Sequence, residues 1–128
     1  SLNPAVEPKY MGMIGAETKM YNVLDIEQAG DFIGVCEGEL DTVTLSFCVG
    51  IPCVGVPGAN SWKKHYTRLL ADFERVFVFA DGDQPGTEFA RGLARELPVT
   101  IVQLPEGEDV NSMYVQAGAG WFHEKMDT

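Results

Sequence analysis

Positive charge is what this sequence has least of. Nine Lys and Arg stand against nineteen Asp and Glu, a formal net charge of -10 at pH 7. A protein that binds nucleic acid by simple phosphate neutralisation is basic on at least one face. Contact of that kind would here have to run through a local basic strip or through bound cations. The best strip is "WKKHYTRLL", which offers Lys63, Lys64 and Arg68 as candidate nucleic-acid contacts. It reads equally as the solvated face of an amphipathic helix, and nothing beside His65 marks it as a ligand or a base. Cysteine is also sparse: Cys36, Cys48 and Cys53 are odd in number and form no CxxC pair. That removes zinc spacing and argues against a disulfide scaffold; the three read as small buried hydrophobes in a reducing compartment. No apolar run approaches the roughly 18 residues of a membrane helix, so no membrane partner is expected. The opening "SLNPAVEPKYMGM" has no basic stretch leading into an apolar one, unlike a secretory signal. A cytoplasmic location follows as the expectation. The start without methionine reads as the edge of a module excised from something larger.

What is present is regular alternation. With 128 residues and 45% apolar content, the chain fits one domain with a real core. "FIGVC" (Phe32 to Cys36), "PCVGVP", "RVFVFA" and "VTIVQL" read as short buried strands, rich in β-branched and aromatic residues. "LDTVTLSFC" (Leu40 to Cys48) keeps no clean period of two, and it is assigned as helix. "SWKKHYTRLLADF" is helical, with Ser61 as N-cap and Trp62, Tyr66, Leu69, Leu70 and Phe73 as its apolar face. Pro85 suits a first helical turn, ahead of Phe89, Leu93 and Leu97 at helical spacing. "DVNSMYVQAGAGWF" opens a final helix. Before Asp31 the chain is less regular, with a short extended piece at Tyr21 and Asn22 and a helical turn from Asp25. Strand and helix alternating four times over short connections predicts an α/β domain: a roughly four-stranded, mainly parallel sheet with helices on both faces.

In such a sheet, sites form beyond the carboxyl ends of the strands. The first strand runs into "EGELD", the second into "PGANS", the third into "DGDQPG" and the fourth into "PEGEDVN". Asp81 and Asp83, one glycine apart, also fit a plain turn. Three acidic loops on one edge are harder to explain that way, because carboxylates so placed repel unless a cation or a proton lies between them. Oxygen-only ligand sets suit Mg²⁺ or Mn²⁺, and cations held by carboxylates most often serve phosphate chemistry.

A Glu-Gly after the first strand, followed by Asp-Gly-Asp after a later one, resembles the Toprim domain. Toprim domains are the metal-binding catalytic modules of bacterial-type primases, type IA and type II topoisomerases, and some nucleases and recombination proteins. "VCEGELDTVTL" is similar to the primase form of the glutamate motif, and "FVFADGDQPGTEFA" to the primase aspartate motif. "VQLPEGEDVNSMYVQAGAGWF" resembles the next primase element, and "KYMGMIGAETKMYN" the segment that leads into the domain. The likeness runs from about Phe32 to Phe122 and implies the compact, Rossmann-like Toprim fold. It also implies roles: Glu37 as general acid or base and a metal ligand in some states, Asp81 and Asp83 as Mg²⁺ (or Mn²⁺) ligands, Asp41 and Asp109 completing the shell of two ions. Many bacterial primases carry a further Asp where this chain has Asn111; the Asp-x-Asn form is similar to that of phage and mitochondrial helicase-primases. Asn111 can still offer an oxygen, but no charge. Haloacid-dehalogenase-like phosphatases, which place Thr or Val where Pro85 stands, fit poorly. So do receiver domains.

The resemblance divides the chain into a lead-in segment (1–30), the Toprim domain (31–122) and a tail (123–128). It implies nucleotidyl transfer that builds an RNA primer from nucleoside triphosphates on a single-stranded DNA template during replication. A replicative helicase is a partner the resemblance admits, and the host cytoplasm is the location if a phage encodes the chain. A Toprim nuclease, a topoisomerase fragment and a non-catalytic metal or nucleotide binder are the alternatives. Gly38, Gly58, Gly82 and Gly86 would either let backbone approach metal or phosphate, or simply make tight turns. Primer synthesis by this chain alone is expected to be weak or absent, because the template-binding and zinc-binding regions of primases are not among these residues.

Overall fold

The computed structural model describes residues 30–56 and 64–127, with side chains from Thr67 onward in the second stretch. Four strands, β1 (Phe32–Glu37), β2 (Cys53–Val56), β3 (Arg75–Ala80) and β4 (Thr100–Gln103), form one sheet in the order β2-β1-β3-β4. Every pairing is parallel. The chain goes from β1 to one side, then crosses to β3 on the other. The carboxyl ends of β1 and β3 therefore flank the point where strand order reverses, which is where open α/β sheets place their sites.

The strands are hydrophobic on both faces because both are covered. On β3, Val76, Val78 and Ala80 join Ile33, Val35, Val54 and Val56 in one core, closed by Leu70, Phe89, Ala90 and Leu93. Phe77 and Phe79 point the other way, into a second core with Leu45, Ile51, Val102, Met113 and Phe122. Gly34 makes room for that second core, since a Cβ there would stand 3.0 Å from Phe79 Cε2.

The first core is covered by α2 (Lys64–Leu70) and α3 (Gln84–Glu96). Leu69 of the expected apolar face is 46% exposed, while Leu70 beside it is fully buried; a helix this short presents only one narrow stripe. Trp62 and the expected cap Ser61 lie outside the described residues, as do Lys63, Gly58 and the elements expected around Tyr21 and Asp25. The second core is covered by a π-helical segment (Thr44–Val49) that continues α1 (Glu39–Val43), and by α4 (Val110–Ala117) and α5 (Ala119–Met126).

The final helix of the sequence is thus two helices. Gly118, at φ 77°, breaks the run after α4 and starts α5 in a new direction. Phe122 then packs on Phe79 with ring centroids 6.0 Å apart, and Met126 is buried in the same core. Among the described residues no helix is long and apolar enough to cross a membrane.

Candidate functional site

Each acidic loop at the carboxyl end of the sheet is held by identifiable bonds. After β1, Gly38 turns the chain at φ 90°. Thr42 then reaches back, its hydroxyl donating to the Gly38 carbonyl at 2.7 Å and lying 3.2 Å from Cys36 Sγ. This pins α1 against the end of β1 and carries Asp41 inward, where it is only 8% exposed. Glu37 is the last residue of β1 and is half-buried.

Beyond β3 and β4 the two loops continue the ladder between those strands. Leu104 donates to the Ala80 carbonyl at 2.9 Å, Gly107 to Gly82 at 2.7 Å, and Gly82 to Glu108 at 2.8 Å. Gln103 Nε2 adds bonds to the carbonyls of Ala80 and Asp81 at 3.3 and 3.2 Å. The zipped loops come so close that a Cβ on Gly82 would lie 1.8 Å from the Pro105 carbonyl oxygen. A Cβ on Gly86 would lie 2.4 Å from that of Asp81. What approaches these two glycines is the chain's own backbone, and this is the reason the positions need glycine.

Asp83 and Asp109 begin helices. Asp83 N-caps α3, its Oδ1 accepting from the Gly86 N–H at 2.7 Å. Asp109 N-caps α4 in a reciprocal capping box with Ser112. Each cap satisfies an otherwise orphaned helical N–H. Ser112 also donates to Glu108 Oε1 at 2.6 Å, as does Gln116.

The loops act on one another electrostatically. Burial pushes Asp81 up to about 7, assisted by the charges of Asp41, Asp83, Asp109 and Glu37. Asp41 is pushed up to about 6, again by burial first and then by Asp109 and Glu37, while a hydrogen bond from Asn111 works the other way. Glu37 is raised by burial and by Asp83. Five carboxylates from three loops therefore share one field. Among the described residues, however, no three His, Cys, Asp or Glu side chains are gathered closely enough to hold a metal ion. By donor chemistry the set fits a hard divalent cation: it is all oxygen and self-repelling. It is an open cluster rather than a closed cage.

Two of the candidate nucleic-acid contacts are described. Lys64 opens α2, and Arg68 is exposed in its last turn. Because α2 returns the chain from the carboxyl end of β2 to the amino end of β3, Arg68 stands toward the edge opposite the carboxylates. Two further participants differ from what the sequence suggested, Asn111 in its role and Thr44 in being unmarked there. Asn111 does not hold out a spare oxygen: its amide nitrogen donates to Asp41 Oδ1 at 2.8 Å, and its oxygen accepts from the Thr44 hydroxyl. Thr44 lies in a helix whose inward face is polar at this point, which no hydrophobic period reveals.

Comparison with known proteins places the chain as a whole. Residues 34–114 match the family model described as Toprim-like. The chain is 44% identical over 121 residues to the Gene 57 protein of Mycobacterium phage D29, covering 94% of this chain and 79% of that protein. Among solved structures, the DnaG catalytic core is similar at a TM-score of 0.72 and 27% identity, over 86% of this chain and 39% of that one. A DnaG primase catalytic domain bound to single-stranded DNA is similar in fold at a TM-score of 0.72 and 24% identity, over 86% and 38% of the two chains. This chain thus spans about two fifths of the length of either primase chain.

Proposed function

The chain belongs to the Toprim-like family, and on that footing we propose that it is the divalent-cation-dependent catalytic module of a phage-type DNA primase. The observation that carries this reading is the shared field of Glu37, Asp41, Asp81, Asp83 and Asp109, from three loops at the reversal point of a parallel sheet. The likeness to the DnaG core and the phage relative support primer synthesis among the Toprim activities. The similar domain solved with single-stranded DNA supports that polymer as template.

Asp81, Asp83, Asp41 and Asp109 would hold Mg²⁺ or Mn²⁺, in two ions. When bound, the cations supply charge neutralisation between the acidic edge and a nucleoside triphosphate, and lower the pKa of an attacking hydroxyl. Glu37, whose burial and neighbour Asp83 raise its pKa, accepts the proton of the attacking 3′ hydroxyl as general base. Asp83 and Asp109 each have one oxygen committed to a helix cap, which fixes the carboxyl group and leaves the other oxygen to offer. Template contacts fall to Lys63 and Lys64, Arg68 standing toward the opposite edge, and a replicative helicase is the partner this reading expects. The reaction belongs to the cytoplasm of the host cell.

The test is a Mg²⁺ and Mn²⁺ titration followed by backbone NMR, on the wild type and on Asp81→Asn/Asp83→Asn. Saturable shifts confined to the loops at Glu37, Asp81 and Asp109, and lost in the variant, are expected. Absence of any saturable shift at millimolar metal would overturn the cation reading. Primer synthesis is expected only once the flanking regions are restored, and full-rate synthesis by this chain alone would refute that division of labour.

A further inference from the structure

Asn111 is the uncharged member of the acidic edge, and both polar atoms of its side chain are engaged. It sits in the first turn of α4, two residues past the cap Asp109. An amide NH₂ can only donate and an amide oxygen can only accept. The Asp41 carboxylate, which only accepts, therefore decides which way the amide faces, and the Thr44 hydroxyl donates to Asn111 Oδ1 on the other side. The nitrogen is left pointing at Asp41 Oδ1, 2.8 Å away. The two bonds tie the helical run that follows β1 to α4, which follows β4, and β3 lies between those two strands. Thr44 is itself buried, so the hydroxyl that anchors the amide oxygen is held in the wall of the core.

We infer that Asn111 is a positioning residue that holds Asp41 in the cluster and, by putting an amide where a carboxylate would fit, limits the number of divalent cations the edge takes up. A carboxylate at position 111 would set oxygen against Asp41 oxygen at the same separation, with no hydrogen between them. Such a pair needs a cation or a proton to bridge it; the amide supplies its own hydrogen. One oxygen of Asp41 is thereby occupied and the other is presented in a fixed direction. Partners that orient a metal-binding carboxylate typically change metal affinity by 10–100-fold when removed. The inference rests on the cation reading of the edge given above.

Mn²⁺ binding by the whole chain, followed by electron paramagnetic resonance and calorimetry, tests it on Asn111→Ala, Asn111→Asp, Thr44→Val and Thr44→Ser. Asn111→Ala is expected to weaken Mn²⁺ binding about tenfold or more with little change in melting temperature. Thr44→Val should weaken it less, and Thr44→Ser, which keeps the donor, should match the wild type. Asn111→Asp should take up one further Mn²⁺ per chain. Wild-type affinity in both Asn111→Ala and Thr44→Val, or wild-type stoichiometry in Asn111→Asp, would overturn the proposal. A wild type that binds no Mn²⁺ would sink the cation reading instead. The positioning role is then decided by the side-chain amide signals of Asn111 in nitrogen-15 spectra. Movement on Thr44→Val and on Asp41→Asn supports it; signals that stay in place overturn it.

Discussion

At the amino end of the sheet, Asp31, Glu74 and Asp127 share the walls of a cavity of about 330 Å³ with Arg75 and His123. At the carboxyl end, burial first and then the surrounding carboxylates, Asp83 and Asp109 among them, raise Glu37, Asp41 and Asp81. The amino-end acids are exposed, and their neighbourhood is mixed. Arg75 lies 4.5 Å from the centre of the Phe77 ring and donates to Thr100 Oγ1 at 3.3 Å; His123 Nε2 sits 2.9 Å from the Val49 carbonyl. Loops everywhere on this acidic chain carry carboxylates, so acidity as such distinguishes nothing. What differs is that one end leaves its acids in water beside a cation, while the other withdraws Glu37, Asp41 and Asp81 from water under the charges of the exposed Asp83 and Asp109. Only the second arrangement costs folding energy that a cation could return.

That contrast can be broken most decisively at Glu37. In a primer-synthesis assay supplemented with the template-binding region of a primase, Glu37→Gln is expected to cut synthesis by about 10²–10⁴-fold, the usual worth of a general base, with Mn²⁺ affinity changed far less. Single-turnover synthesis beside a Mn²⁺ titration separates the two; equal losses in both would make Glu37 a ligand rather than a base. Next in size is Gly82→Ala. Forcing a Cβ against the Pro105 carbonyl should unzip the two loops and cost about 3 kcal/mol, in the upper range of overpacking, read as a shift in urea midpoint. An unchanged midpoint would mean the loops part cheaply.

Acidity itself gives a third handle. The folded-state pKa values of Asp41 and Asp81, about 6 and about 7, lie above the ordinary 3.8. The folded chain therefore holds these protons more tightly than the unfolded one. The resulting stability is complete below about pH 4 and is lost as pH rises through 6 and 7. Metal-free protein should accordingly melt higher at pH 5 than at pH 8, Mg²⁺ should raise the melting point mainly at pH 8, and Asp81→Asn should flatten the profile. A profile unaffected by Asp81→Asn would place the effect elsewhere. The smallest change is expected at the other end: Arg75→Ala should cost less than about 1 kcal/mol, as exposed cation–ring contacts do, and leave Mn²⁺ binding untouched. Lost Mn²⁺ binding in that variant would show the two ends to be coupled.

Much of this was legible beforehand. β3 announces itself in "RVFVFA", and the motifs around Glu37 and Asp81 mark the reversal point once strand order is known. The stretch from Leu40 to Val49 was harder, for a physical reason. Leu40, Val43 and Phe47 are exposed by 73%, 42% and 66%, while Asp41, Thr42 and Thr44 are turned inward. The usual pattern is inverted where a helix gives up part of its buried face to a site, and hydrophobic periodicity weakens accordingly. The break at Gly118 was concealed in a similar way, because "AGAG" offers small residues to either a continuous helix or a turn.

The sequence by itself determined the order of strands and helices, the two-faced core and which carboxylates could meet, since these follow from local periodicity and from motifs adjacent in the chain. Only the tertiary structure decided which oxygens are already spoken for. Asp83 and Asp109 cap helices, Asp41 takes the Asn111 amide, and the Asn111 oxygen accepts from Thr44, 67 positions away. A hydrogen bond depends on a few tenths of an ångström and on direction, and between distant parts of the chain those quantities exist only after the sheet has brought its loops together.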